Sequence, residues 1–306
     1  MSISIAVIGE CMLELSRADA NGDVRGLPMT MNYGGDTLNT SVYLNRCGIN
    51  TRYVTALGDD IMSDWMLGEW QDEGIDCSLV VRKPNSVPGM YMINVADDGE
   101  RSFYYWRKNS PASRLFDDRD HVEKLFESLK DSSHLYLSGI SLGILPEKSL
   151  QCLFDSLKVY RQAGGKIIFD GNYRPKLWSN ETAAQQAYTQ MYGMTDIALP
   201  TLEDETSLFG IESAEQLVKT LQAHGVQETV VKMGADGCLF ATGQALERVS
   251  AVQVTPVDTT AAGDSFNAGF LAARLRGISG VDACRAGHAL ASQVIQHRGA
   301  IIPRNI

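Results

Sequence analysis

The sequence has no run of lysine and arginine, no C-x-x-C pair, no apolar stretch long enough to cross a membrane, and no G-x-G-x-x-G after its first strand-like segment. Each absence removes a class. The 306-residue chain carries a formal net charge of −10, which repels phosphodiester backbones unless a basic patch overcomes it. Nucleic acid is therefore not an expected partner. Six cysteines, Cys11, Cys47, Cys77, Cys152, Cys238 and Cys284, stand far apart in the chain. They suggest neither a zinc site nor a thioredoxin motif, but the reduced, mostly buried thiols of a cytoplasmic protein. A membrane span needs about 20 consecutive apolar residues, and without one no membrane partner is expected. Gly9-Glu10-Cys11-Met12 stands where a dinucleotide fingerprint would be, which argues against a nicotinamide-dependent dehydrogenase. Residues 2–9 follow no basic segment and are too short for a signal-peptide core, so they read as a first buried strand.

What remains is an ordinary globular composition, 44% hydrophobic and 21% charged. Strand-like runs at residues 5–8, 52–56, 134–137, 166–170, 196–199 and 229–232 alternate with helical patterns at 38–47, 147–163, 182–191 and 214–224. Several runs are apolar on both faces, as parallel strands covered by helices on each side must be. The expected fold class is α/β, with a central, mainly parallel sheet flanked by helices on both faces. Residues 12–32 and 88–107 break the alternation with β-type patterns of their own. An Asp98-Gly99 turn between residues 90–95 and 101–107 reads as a hairpin. The expectation is a single domain over residues 1–306, with a small antiparallel β lid contributed by roughly 12–32 and 88–107.

Four stretches carry chemistry. Asp258-Thr259-Thr260-Ala261-Ala262-Gly263-Asp264-Ser265-Phe266 runs into a helical pattern. Small residues at a helix start leave backbone N–H groups open to an anion. Asp264 is then either a base beside that anion hole or a capping carboxylate. Gly34-Gly35-Asp36-Thr37-Leu38-Asn39 enters another helix. Its glycines allow close backbone approach and Asn39 offers donor and acceptor groups, although a plain turn has the same look. Lys232-Met233-Gly234-Ala235-Asp236-Gly237 is a K-x-G-x-x-G turn after a strand. Asn172 and Arg174 follow the strand 166–170, at the end where open α/β sheets bind ligands. Phe103, Tyr105 and Arg107 share one face of the hairpin by the two-residue period. If that face looks into the cleft, Arg107 and Arg174 could grip a carboxylate; otherwise they are solvated charges.

The stretch D-T-T-A-A-G-D-S-F resembles the C-terminal signature of ribokinase-like (PfkB-type) carbohydrate kinases, and the Gly34-Gly35 loop with Asn39 resembles their N-terminal signature. The two occur in the family's order, more than about two hundred residues apart. This resemblance implies a ribokinase-like fold, with Asp264 as catalytic base and Ala261, Ala262 and Gly263 as anion hole. It also implies ATP and Mg²⁺ as cofactors, with room for a monovalent cation, and an assembly of like copies through the lid. Gly34, Gly35 and Asn39 would bind sugar. Asn172, Arg174, Lys232, Gly234, Asp236, Gly237, Ala261 and Gly263 would line the ATP site, with His288 and Ala291 near the adenine. Within the family, F-Y-Y-W-R and D-G-N-Y-R-P-x-L-W are similar to 2-keto-3-deoxygluconate kinases, in which Tyr91, Tyr105, Arg107 and Arg174 would contact substrate together with Asp264.

The resemblance is incomplete at two places. Thr201-Leu202-Glu203-Asp204-Glu205 lacks the Asn of the family's Asn-x-x-Glu motif, so Glu205 alone keeps a water-mediated metal role. Gly9-Glu10-Cys11-Met12-Leu13-Glu14 lacks the Asn of ribose-binding members, which argues against ribose. The expected reaction is transfer of the γ-phosphoryl group of ATP to the primary hydroxyl of 2-keto-3-deoxygluconate. The rivals are a kinase for a related keto-sugar acid or a neutral sugar such as fructose, and a sugar sensor without turnover. A neutral sugar gives two buried arginines no charge to meet, and a sensor has no use for the base.

Overall fold

The structure, a computed structural model, describes residues 3–17, 28–95 and 101–304. The Asp98-Gly99 turn and residues 18–27 of the first lid segment lie outside the described residues. The chain opens with β1 (Ser4–Ile8), β2 (Met12–Arg17), β3 (Met29–Gly34), α1 (Asp36–Arg46), β4 (Asn50–Leu57), α2 (Ile61–Asp72), β5 (Val80–Arg82), β6 (Met90–Val95) and β7 (Arg101–Trp106). Then come α3 (Arg119–Ser128), β8 (His134–Ser138), α4 (Gly139–Gly143), α5 (Glu147–Gln162), β9 (Lys166–Asp170), α6 (Glu181–Tyr192), β10 (Ile197–Ala198), α7 (Leu202–Phe209) and α8 (Ala214–Ala223). The chain closes with β11 (Glu228–Lys232), β12 (Cys238–Thr242), β13 (Ala245–Val249), α9 (Ala262–Arg274) and α10 (Gly280–Val294).

The main sheet has nine strands in the order β13-β12-β11-β10-β9-β8-β1-β4-β5. All neighbours are parallel except β11–β12 and β12–β13. The chain moves outward from β1 to β4 and later returns to β8 on the other flank of β1. That reversal makes a topological switch point, where α/β sheets open a crevice at their carboxyl ends.

Alternation along the strands feeds two cores. Ala6 and Ile8 face α3, α5, α6 and α8, together with Leu135, Leu137, Ile167 and Phe169. Ile5 and Val7 face α1, α2, α9 and α10, together with Tyr136, Ile168 and Val230. Burial on both faces explains why the parallel strands read as unbroken apolar runs.

The second sheet has four strands in the order β3-β2-β6-β7. Its register puts Asn32, Glu14, Tyr91 and Tyr105 in one cross-strand row and Met31, Leu15, Met92 and Tyr104 in the neighbouring row on the opposite face. A one-residue slip would exchange those faces. The two faces therefore differ in chemistry, one polar and aromatic, the other apolar.

Candidate active site

Helix α9 begins at a left-handed Ala261, φ 60°, an unusual conformation for a residue with a Cβ and one that clusters at functional sites. The loop before it is braced by Asp258, which accepts from the Thr260 amide at 3.0 Å and the Gly299 amide at 3.0 Å. The Ala262 amide donates to the Thr259 carbonyl at 3.2 Å, so it closes the turn. The Gly263 and Asp264 amides then fall among the first of the helix, which lack intrahelical acceptors.

Asp264, in the first turn, is buried. It accepts from Asn39 Nδ2 at 2.8 Å, a contact between residues 225 positions apart. The Thr40 hydroxyl donates to the Asp264 carbonyl at 3.4 Å. This joins the helix of the Gly34-Gly35 loop directly to α9. Gly35 cannot carry a side chain, because a Cβ there would run into the Glu10 carbonyl.

Two further acids face Asp264. Asp36 starts α1 and accepts from Asn172 Nδ2 at 2.7 Å. Asp170 ends β9 and accepts from Lys232 Nζ at 2.9 Å and Asn267 Nδ2 at 2.9 Å. Burial first, and then the Asp36 charge, pushes the Asp264 carboxyl up to about 8, while the Asn39 hydrogen bond and the Lys232 charge hold it down. The ammonium also lies beside the helix start, 3.6 Å from where a Cβ on Gly263 would be. A phosphate arriving at α9 would therefore meet both helix-start amides and a cation.

The small sheet supplies another wall. Tyr91 and Tyr105 pack with ring centroids 6.0 Å apart, and Tyr105 stacks on Phe103 at 6.4 Å. The Tyr91 hydroxyl donates to Glu14, and a Cβ on Gly34 would lie 2.5 Å from that hydroxyl. Arg107, just past β7, pairs with Glu10. Arg174 donates to the Tyr173 carbonyl at 2.7 Å and lies 3.4 Å from Asp204. The two guanidiniums thus have separate partners. Each is held by an acid of its own: Glu10, past β1, pairs with Arg107, and Asp204, on α7 past β10, lies beside Arg174.

Other expected residues fall into place differently. Gly234 and Asp236 form an exposed turn after β11, and Gly237 (φ 92°) leaves that turn where a Cβ would strike the Val249 carbonyl. His288 is buried, edge-on to Phe266 at 4.8 Å, and its Nε2 has no partner among the described residues; Ala291 follows one turn later on α10. Glu205 is 0% exposed. It accepts from the Tyr192 hydroxyl at 2.5 Å and lies behind Gly171. Burial pushes its carboxyl up to about 8.

Asp36, Asp170 and Glu10 are acids of the site that sequence reasoning passed over. The one available signal was position: a charged residue at the carboxyl end of a buried parallel strand, or at a helix start, has to be paired or functional.

A profile described as pfkB family carbohydrate kinase matches residues 2–306. The chain belongs to that family. Among pfkB-family relatives, the 2-dehydro-3-deoxygluconokinase of Escherichia coli is 48% identical over 312 residues, covering 99% of this chain and 98% of the relative. The protein of the same name from Dickeya dadantii is 46% identical over 308 residues, covering 98% and 97%. A solved structure of 2-dehydro-3-deoxygluconokinase from Thermotoga maritima superposes with a TM-score of 0.87 at 20% identity, over 99% of this chain and 95% of that one. A candidate ribokinase II from Escherichia coli, in complex with ATP and Mg²⁺, gives 0.85 at 22% identity over 98% and 94%. A fructokinase from Vibrio cholerae with fructose, ADP and a potassium ion gives 0.82 at 23% over 97% and 94%. These likenesses establish the ribokinase-like fold expected from the pfkB signatures.

The raised carboxyls make stability depend on pH. Asp264 and Glu205 both titrate near 8 in the folded chain against ordinary values of 3.8 and 4.5. Their neutral forms suit burial, so their contribution to stability is complete below about pH 4 and is lost as pH rises through about 8. Thermal unfolding of the ligand-free protein should therefore show the melting temperature falling from pH 5 to pH 9. Asp264→Asn, neutral throughout, should fall less and melt higher than wild type at pH 9. Parallel wild-type and variant curves would remove the raised carboxyl from the account.

Proposed function

We propose that this chain phosphorylates 2-keto-3-deoxygluconate at its primary hydroxyl, giving the 6-phosphate and ADP. Support comes from relatives at 46–48% identity named 2-dehydro-3-deoxygluconokinase and from one geometric observation. A buried carboxylate, Asp264, lies in the first turn of a helix whose start can hold a phosphate, and is bound to Asn39 of the glycine loop at 2.8 Å. The substrate hydroxyl oxygen attacks the γ-phosphorus, the bond from that phosphorus to the bridging oxygen breaks, and the hydroxyl proton passes to Asp264. Gly263 and the Asp264 amide, with Lys232, face the charge that develops on the transferred group. Ala261 holds the turn, and Ala262 closes it.

ATP and Mg²⁺ are the partners we infer for this chemistry. Among the described residues no group of three or more His, Cys, Asp and Glu side chains is placed to hold a metal. That fits an ion that arrives on the nucleotide, because Mg²⁺ is commonly held by one or two carboxylates plus substrate phosphates. When bound, it neutralises the β- and γ-phosphate oxygens. Glu205, whose Oε2 is buried without a partner among the described residues, is the chain's candidate to approach that ion through water. Asn172, Gly234, Asp236, Gly237, His288 and Ala291 are assigned to the nucleotide side, and Gly34, Gly35, Asn39, Tyr91, Tyr105, Arg107 and Arg174 to the sugar acid. Residues 1–306 act as one unit, with the small sheet as roof, in the cytoplasm, where ATP is supplied.

The apolar face of the small sheet supports assembly of like copies. Met31, Leu15, Met92 and Tyr104 form one row of it, with Trp106 beside them on the edge strand, while Tyr33, Leu13 and Met90 of the neighbouring row pack against the body of the protein. Met31 is 42% exposed, Tyr104 50% and Trp106 54%. A contiguous apolar surface of this kind is rarely left bare on a monomer, and a closed two-fold contact would cover it with the same face of a second copy. Light scattering should find wild type larger than its 33.5 kDa chain and the double variant Tyr104→Glu, Trp106→Glu close to that mass. A monomeric wild type would end this proposal.

The base is tested by Asp264→Asn, which keeps shape and removes basicity. Turnover should fall by about 10³ to 10⁴, the upper range for a lost general base. Because kcat/KM reports ionisation of the free enzyme, its acid limb should bend near the pH of about 8 at which Asp264 titrates. A variant keeping a tenth of wild-type turnover would exclude Asp264 as the base.

Substrate charge is tested by comparing the sugar acid with its neutral counterpart on wild type and Arg174→Ala. A hydrogen bond to a charged group is worth about 1.5–3 kcal/mol, so kcat/KM for the acid should fall roughly ten- to a hundredfold. Residual activity on the neutral sugar should hardly move, and Arg174→Lys should recover part of the loss. Equal losses on both substrates would assign Arg174 to ATP or to the fold instead.

A further inference from the structure

Glu10, two residues past β1, is 2% exposed. One of its carboxylate oxygens pairs with Arg107 Nη2 and the other accepts from the Ser110 hydroxyl. Arg107 directly follows the last strand of the small sheet, while Glu10 follows the strand at the switch point of the main sheet. A single buried ion pair therefore crosses the seam between the two sheets. The seam is shaped for it: a Cβ on Gly89, just before β6, would lie 2.9 Å from Glu10 Oε1 and 3.3 Å from Arg107 Cβ. The Gly89 carbonyl accepts from the Leu13 amide at 2.8 Å, fixing this closeness by backbone contact.

A guanidinium buried to this degree needs a counter-charge, and a carboxylate with almost no solvent needs a cation. Burial raises the Glu10 carboxyl and Arg107 pulls it back. Arg107 still has a donor to spare, because its buried Nε has no acceptor among the described residues. The pairing also restricts the long side chain to one geometry, which a bidentate fork needs if it is to select a planar carboxylate.

We propose that Glu10 is a positioning residue for substrate selection: it stations Arg107 at the seam between the sheets, so that the guanidinium meets the carboxylate of the sugar acid already oriented. This rests on the sugar-acid reading above. Glu10 acts through Arg107 and does not itself hold the substrate.

The test uses the full-length enzyme with the sugar acid, its neutral counterpart and ATP. Glu10→Gln keeps the shape and a hydrogen-bonding group for Ser110 but removes the charge. It should raise KM for the sugar acid roughly tenfold or more, the scale of a misplaced binding group. Its kcat at saturation, its KM for ATP and its residual activity on the neutral sugar should stay within about twofold. Against an Arg107→Met background the same substitution should change KM for the acid by less than about twofold, because the group through which it acts is gone. If Glu10→Gln alone folds poorly, Glu10→Asp keeps the charge but draws it back from Arg107. It should raise KM for the acid while activity on the neutral sugar stays within about twofold, and an unchanged KM there would equally overturn the proposal. An unchanged KM in Glu10→Gln would overturn the proposal, as would a further tenfold loss on the Arg107→Met background, which would put Glu10 in contact with substrate. A wild type that turns over the neutral sugar and not the acid would instead bring down the sugar-acid reading, and this role for the pair with it.

Discussion

Everything at the centre of this molecule answers to a shortage of positive charge among buried acids. Asp36, Asp170 and Asp264 converge from α1, β9 and α9, and among the described residues the cation that faces them is Lys232. Carboxylates brought together out of water cannot all be ionised without compensation. The structure compensates in three ways. Lys232 pairs with Asp170, neutral amides of Asn39, Asn172 and Asn267 donate to the carboxylates, and the Asp264 carboxyl rises. That arrangement lowers the stability of the resting fold above neutral pH. It also leaves one carboxyl more basic than an exposed aspartate, which suits proton transfer from an alcohol.

The small sheet obeys a different constraint. Its two faces are set by register, and glycines leave room at its junctions: a Cβ on Gly35 would strike the Glu10 carbonyl, one on Gly89 the Glu10 side chain, and one on Gly34 the Tyr91 hydroxyl. The polar and aromatic face with Glu14, Tyr91 and Tyr105 belongs to the sugar acid in the function proposed here, and the apolar face to a second copy. Glu10 and Arg107 connect this sheet to the switch point, so substrate recognition and the junction of the sheets share one pair of charges.

Several elements escaped the reading of periodicity, for identifiable reasons. Helix α2 carries Ser63, Met66 and Trp70 inward but is otherwise mixed in character, so its amphipathic signal is weak. Helices α4 and α7 have 5 and 8 residues, too few for a 3.6-residue period to stand out. The β12–β13 hairpin closes through Gly243, at φ 54°, and gives the main sheet an antiparallel edge. Its outer strand β13 is mostly exposed and so lacks the apolar run that marked the parallel strands.

By itself the sequence determined the α/β class, the long helices and most of the parallel strands, because burial on one face or both is written into local spacing. It also held the two signatures that mark the pfkB family, and Asp264 was legible in one of them as a carboxylate among small residues at a helix start. Only the tertiary structure decided the partners. Asn39 meets Asp264 across 225 positions and Arg107 meets Glu10, contacts to which no local period points. Sequence reasoning placed Arg107 and Arg174 together on a carboxylate. In the folded chain each lies against an acid of its own: Arg107 is taken out of water and settles on Glu10, the carboxylate buried beside it, while the half-exposed Arg174 lies beside Asp204.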